Sequence, residues 1–385
     1  MAPATGAAPE AGRKRLLLLG GGHAHVGVLR DFARRPVAGW ELTLLSPSAR
    51  QIYSGMLPGW IAGRHALDDC AIDLAALAAR AGARRVIGSA SGLDPAARTV
   101  RLADGRQLGY DLLSLDIGSV SGAFALTGGG GQALALRPIE DFVERLAALV
   151  ARIVVCGRPV ALAVVGAGAA GVELVFALRA RARRDGWPPL TLLLVGSQAL
   201  PLPGMPDGLR RRAALRLARA GIDWIGNARV TAVLPDRLVC AGMASRPVDA
   251  CICATGAVAA PWLAASGLAT DAAGFVRVDA ALQSLSHPGV FAAGDVAALA
   301  VPRPRSGVFA VRAGPALARN LRAACAGQPL QAWQPQRQAL YLLGLDDGSA
   351  LASWGALWSE GRWAARLKAR IDRRFVRRAN AAAGT

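Results

Sequence analysis

Two turns in this sequence have the residue types and spacing to hold a dinucleotide. The first, Gly20-Gly21-Gly22-His23-Ala24-His25, follows the apolar run Leu16 to Leu19. The second, Gly166-Ala167-Gly168-Ala169-Ala170-Gly171-Val172-Glu173, follows Leu162 to Val165. A strand running into such a turn lets the backbone approach a pyrophosphate, and the helix that follows offers its N-terminal N–H groups and positive end. The second turn is a complete GxGxxG. The first has glycine at two places, Gly20 and Gly22, and His25 at the third, where a small residue normally eases helix packing. His25 either faces the domain interior as a packing group or reaches a phosphate as a donor. His23 shares the turn and is a second cofactor-shell candidate.

Further groups converge on these turns. Gly294-Asp295 closes the strand from Gly289, a place where a carboxylate meets sugar hydroxyls; the alternative is an exposed strand-end acid. Asp116-Ile117-Gly118 closes another strand, and Gly118 permits close backbone approach. A helix starting at Gly307 aims N–H groups at a ring carbonyl, where they stabilise negative charge. The loop Tyr53-Ser54-Gly55-Met56-Leu57-Pro58-Gly59-Trp60 either lies along a planar ring system or is a packed interhelical loop. Where an acid usually receives the adenosine ribose, the chain has Ser46-Pro47-Ser48 after its second strand and Gly196-Ser197 after the corresponding later one. No arginine stands immediately beside Gly196 to clamp a 2′-phosphate, so that position alone favours neither NADH nor NADPH. Gly256, after the strand ending at Cys253, completes the candidate NAD(P) set with Gly166, Gly168, Gly171 and Glu173.

These groups need two nucleotide-sized frameworks, and 385 residues suffice for both. The intervals 20–118 and 166–256 are similar, each holding short antiparallel strands, which indicates two related βαβ units. The expected fold is α/β, with two Rossmann-like dinucleotide-binding domains, antiparallel β insertions and a C-terminal tail. The domains are drawn as 14–120 with 270–330, then 121–269, then 331–385. Strands are predicted over Arg84 to Leu93, Thr99 to Leu102 and Tyr110 to Leu115, and a helix over 72–81. Gly118 to Gly131 is read as a crossing between domains.

A formal net charge of +19 comes almost entirely from arginine, with lysine only at 14 and 368. Such charge attracts anionic lipid, nucleic acid or anionic cofactors. No aromatic-basic platform or helix-turn-helix accompanies it, so nucleic acid is not an expected partner. Six cysteines lack metal spacing, and no metal site is expected. No stretch has transmembrane length and quality, and residues 1–13 lack the features of a secretory signal. The expected location is cytoplasmic, or peripheral on the cytoplasmic face of the inner membrane. In the tail, Trp363, Leu367, Ile371 and Phe375 share one helical face ringed by arginines. That face either meets an anionic membrane or packs on the enzyme or a twin subunit, a homodimer.

Gly20 to His25, Tyr53 to Gly59, Tyr110-Asp-Leu-Leu-Ser-Leu-Asp-Ile-Gly118, Gly307-Val-Phe-Ala-Val-Arg312, Ala352-Ser-Trp-Gly355 and Ile371-Asp-Arg-Arg-Phe375 together resemble one superfamily. It is the flavoproteins with two dinucleotide-binding domains, which includes type II NADH dehydrogenases and sulfide:quinone oxidoreductases. The set is most similar to the flavoprotein domain found alone or joined ahead of selenide, water dikinase. The resemblance implies noncovalent FAD under the first turn, with Ala24, Ser46, Pro47, Ala90, Asp116, Gly294, Asp295, Gly307 and Val308 in its shell. It implies an FAD-dependent oxidoreductase that takes electrons from a small donor, NAD(P)H for one, and passes them to a quinone-like or other small acceptor. Val308 and Arg312 stand where type II dehydrogenases carry glutamines near the quinone face, and Arg312 is a candidate to tune the flavin or hold an anionic substrate. Two alternatives stay open: an FAD-bearing regulatory or scaffold protein in selenium metabolism, associated with selenide, water dikinase, and a sulfide-type oxidoreductase using Cys156.

Overall fold

The computed structural model describes residues 12–122 and 133–381; part of the glycine-rich crossing lies outside them. Lys14–Leu19 (β1) has Leu16 to Leu19 all buried, the unbroken apolar run of a strand covered on both faces. It pairs in parallel with Trp40–Ser46 (β2), which pairs with Arg84–Ile87 (β3). Its other neighbour is Leu112–Leu115 (β4), and Val290–Ala292 completes the five-stranded sheet. Register sets Leu19 opposite Leu45 and Leu115, so the ends of β2 and β4 flank the first turn.

A second parallel sheet is built from Ala133–Ala135 (β5), Val160–Val165 (β6), Leu190–Val195 (β7), Ile222–Ile225 (β8) and Ala250–Cys253 (β9), in the order β5-β9-β6-β7-β8. Around its glycine-turn strand β6 this order repeats that of the first sheet around β1. Each unit carries a three-stranded antiparallel insertion, at 90–109 and 230–247. The helices that matter for the site are His23–Arg34 (α1), Ala169–Asp185 (α2), Gly307–Cys325 (α3) and Arg362–Asn380 (α4). Helices α1 and α3 cross closely: a Cβ on Gly27 would lie 3.0 Å from the Gly314 Cα.

Several local expectations need correction. The predicted strand Arg84 to Leu93 breaks at Gly88, so its first half joins the parallel sheet and Ala90–Asp94 opens the insertion. The last of the three starts at Leu112 and also joins the parallel sheet. Residues 72–81 divide into a short strand, Ala71–Asp73, and a helix, Leu74–Arg80, because the Asp73 carboxylate accepts the Ala76 N–H at 2.8 Å and caps it. The loop from Tyr53 becomes helical at Leu57–Ile61, with Pro58 in the first turn, where a missing N–H costs nothing.

The tail is helical as expected, but its apolar stripe is only partly the packed face: Phe375 packs against the core and Leu367 is half-buried, while the rest of the stripe stays out. Ala364, Asp372 and Val376, each one position beyond a stripe residue, turn inward with Ala379, while Trp363 and Ile371 stay 49% and 43% exposed. The cause is what α4 lies on. Beneath it is a three-stranded sheet, Leu340–Gly344, Ala350–Trp354 and Leu357–Gly361, whose small residues Ala350 and Ala352 let the helix come close at another small residue, Ala364. At its other end Asn380 clips the helix to the strand at 71–73, accepting from Asp73 N and donating to Ala71 O.

Candidate functional site

The turns and strand ends of the first sheet open onto a cleft of about 380 Å³. From the sequence candidates it gathers Gly20, Gly22, His23, Ser46, Pro47, Ser54, Ala90, Asp116, Gly118, Asp295 and Gly307. Gly20 has φ +97°, and a Cβ there would collide with the Asp116 carbonyl, so the turn needs glycine. Ala24, His25, Tyr53, Gly55, Met56, Leu57, Val308 and Arg312 do not line the cleft, and Gly294 lines a smaller cavity of about 140 Å³ that shares Asp295.

His25 is fully buried. Its Nδ1–H donates to Gly20 O at 2.6 Å, and its Nε2 accepts from the Ser114 hydroxyl at 2.8 Å, which fixes the tautomer. Burial lowers its pKa to about 4, so the ring is neutral. The missing small residue of the first turn is therefore replaced by a neutral packing group that ties turn, helix and sheet together.

Asp116, at the end of β4, takes part of the role assigned to a phosphate. Its carboxylate accepts the His25 N–H at 2.8 Å and also the Ala24 N–H, while its backbone carbonyl accepts from Gly22 N. Gly22 and Gly294 cradle it, since a Cβ at either position would press on the carboxyl. Burial raises its pKa to about 7, against the pull of the two backbone N–H groups. A pyrophosphate bound here would thus share the first turn of α1 with Asp116.

The cleft retains unmatched polar atoms. Gln51 donates to His23 Nδ1 at 3.3 Å, which leaves the His23 Nε2–H and Gln51 Oε1 buried without partners. Burial lowers the His23 pKa to about 4. Asp295 accepts from Arg137 Nη1 at 2.9 Å, and Arg137 also donates to Ser119 Oγ. A glycine turn open to approach, buried unmatched donor and acceptor atoms and a carboxylate at the strand end together fit FAD. Gln51, Arg137 and Ser119 were missed in the sequence; Arg137 is visible there only as part of the Arg137-Pro138 step that leads into the helix at Ile139.

On the α4 side of His23 the rings of Tyr53 and Phe375 close in, with centroids 5.4 and 6.0 Å from His23 and 4.7 Å from each other. Next to them Lys368 donates to Gly55 O at 2.7 Å and to Asp372 at 3.1 Å, and lies 3.5 Å from Glu173. Tyr53 hydrogen-bonds to Asp372, and Glu173 accepts from Gly344 N at 2.9 Å. Burial raises the pKa of both Glu173 and Asp372; at Lys368 the two carboxylates outweigh burial and raise it too. Glu173, grouped by sequence with the NAD(P) turn, instead points from α2 into this cluster. Arg312 is exposed because α3 turns Phe309, Ala310 and Ala313 inward. Cys156 is exposed at the end of the helix Ile139–Val155, and no cysteine lines the cleft among the described residues.

At the second turn, Cβ atoms on Gly168 and Gly256 would meet nothing within 4 Å, so this surface is open to a ligand. Among the described residues no helix is long and apolar enough to cross a membrane. Trp354, Leu357 and Trp358 of the C-terminal hairpin join Trp363 and Ile371 as large exposed apolar side chains.

An NADH dehydrogenase-like protein of Mycobacterium tuberculosis is 28% identical over 311 residues, covering 77% of this chain and 74% of that protein. The sulfide:quinone oxidoreductase of Aquifex aeolicus shares the fold, with a TM-score of 0.78 at 20% identity over 95% of this chain and 92% of its own. A ferredoxin reductase of Rhodopseudomonas palustris does so with a TM-score of 0.71 at 20% identity, over 88% and 82%. Residues 14–320 match the pyridine nucleotide-disulphide oxidoreductase family, and the chain belongs to it as an FAD-dependent oxidoreductase.

Proposed function

We propose that the second turn takes NAD(P)H as donor, and that a small quinone-like acceptor is reduced on the side where α4 meets the first turn. FAD, when bound, supplies the ring that takes up hydride and passes electrons on. The observation that carries the reading is Lys368. It joins Gly55 of the first unit, Glu173 of the second and Asp372 of the tail, so all three parts of the chain meet at one buried cation. Reducing a quinone consumes protons, and two carboxylates with raised pKa around an ammonium, with Tyr53 hydrogen-bonded to one of them, can hold and release a proton there. The aromatic faces of Tyr53 and Phe375 give a flat apolar acceptor a surface to lie on.

Trp363 and the cationic ridge share α4 with Lys368, and with the exposed tryptophans of the preceding hairpin they suit docking at an anionic membrane where apolar acceptors reside. Anaerobic reduction of bound flavin by NADH or NADPH, followed by turnover with a soluble quinone, tests the scheme. Lys368→Met is expected to slow the quinone step by about tenfold or more while donor reduction of the flavin persists. Unchanged quinone turnover would remove the acceptor assignment. Retained FAD that neither dinucleotide reduces would favour the regulatory or scaffold alternative.

A further inference from the structure

In dinucleotide folds an acid at the end of the second strand receives the ribose 2′-hydroxyl, and an arginine there accommodates a 2′-phosphate. In the second unit this strand is β7, which ends at Val195 and is followed by Gly196. A Cβ on Gly196 would lie 2.7 Å from the Trp224 ring and 2.8 Å from the Cβ of Ala167 in the glycine turn. The indole of β8 thus stands where the acid's side chain would begin. It is fixed from two directions. Its Nε1–H donates to Ala199 O at 3.1 Å, and beneath it Gly226 has no room for a side chain, since a Cβ there would be 3.0 Å from Nε1 and 2.9 Å from the carbonyls of Gln198 and Ala199. Gly196, Trp224 and Gly226 therefore form one fitted unit.

The chemistry of that unit is neutral. The only indole donor is already engaged, and the residues that follow Gly196 are Ser197 and Gln198. Arg210, which folds onto this loop, donates to the carbonyls of Leu200 and Pro201 and pairs with Asp207. Among the described residues no carboxylate or guanidinium hydrogen-bonds to Gly196, Ser197 or the Trp224 indole; the nearest cation along the chain here, the exposed Arg229, follows the Ala228 whose N–H donates to Gly196 O.

We propose that Trp224 occupies the place of the discriminating acid, so that the second turn accepts a nicotinamide dinucleotide with or without its 2′-phosphate. This rests on the reading of that turn as the donor site. Trp224 is a specificity-determining residue by what it displaces, and NADH and NADPH are alternative donors.

Anaerobic stopped-flow reduction of the FAD-loaded protein by each dinucleotide, at about 0.15 M salt to screen the net positive field, tests it. The ratio of reduction rate to dissociation constant is expected to agree within about tenfold between the two. A larger preference for either overturns the proposal. The double variant Gly196→Glu/Trp224→Ala, with FAD content and melting temperature as folding controls, is expected to shift the ratio toward NADH by about tenfold or more. A folded double variant with the original ratio overturns it as well. Loss of reduction by both dinucleotides in the unmodified protein refutes the donor-site reading itself, a result distinct from strong selection of one.

Discussion

Asp116→Asn should convert a stability that falls with pH into one that does not. Asp116 is 2% exposed, and burial lifts its pKa from 3.8 to about 7, with the charge of Asp295 adding to the lift. A carboxyl whose folded pKa exceeds its unfolded value keeps its proton in the fold after the unfolded chain has lost it. Its contribution is therefore complete below about pH 4 and declines as pH rises toward 7. At about 1.4 kcal/mol per unit, the loss between about pH 5 and pH 8 is of order 2–3 kcal/mol. Asparagine cannot ionise. It offers one oxygen to the Ala24 and His25 amides, and the unmet hydrogen bond costs it about 1 kcal/mol at the acid end. The two proteins should then be close in stability near pH 5, with the variant about 2 kcal/mol more stable near pH 8. Urea midpoints of the FAD-loaded proteins, taken at unit steps of pH with m-values compared, measure the difference and cancel groups common to both. A pyrophosphate held at the same turn adds negative charge and acts in the same direction. Parallel stability curves would show that Asp116 is ionised throughout and refute the reasoning.

Three further outcomes are expected. His25→Ala leaves the Gly20 carbonyl and Ser114 hydroxyl unmatched beside a cavity, and should lower unfolding stability by about 3 kcal/mol, read from the denaturant midpoint. Asp295→Ala removes a carboxylate from the cleft and leaves Arg137 with Ser119 alone; FAD retained after ultrafiltration should correspond to an affinity about tenfold or more weaker, and unchanged retention would exclude Asp295 from the cofactor site. Trp358→Ser/Trp363→Ser should cut sedimentation with anionic liposomes by about tenfold or more without altering flavin reduction, whereas equal partitioning would reject membrane docking.

What the sequence disclosed follows the range over which its signals act. Both glycine turns, their strands and the helix at Gly307 are local patterns of a few residues, and the repeated interval between them marks two units in the sequence itself. His25 was readable as an anomaly but not as a solution, because its partner Ser114 is 89 residues away and the neutral tautomer depends on both contacts. The tail shows the limit most clearly. Helical periodicity found a genuine apolar stripe, yet the packed face was chosen by the size of Ala350 and Ala352 across the interface, which no pattern within the helix encodes. Lys368, Glu173 and Gly55 meet only through the tertiary fold, so a motif reading assigned Glu173 to its neighbour in sequence, the glycine turn. Trp224 escaped for the same reason: its effect is exerted on Gly196, a strand away.

Lys368 has one more consequence. This chain carries nearly all its positive charge as arginine, with lysine only at 14 and 368. Three oxygens from three parts of the molecule converge on a single nitrogen, a socket shaped for a compact ammonium rather than a broad planar fork. The exposed Lys14 could be an arginine at no cost in space, whereas at 368 three crowded oxygens leave room for an ammonium and not for a guanidinium, so the two lysines of this chain differ in what surrounds them.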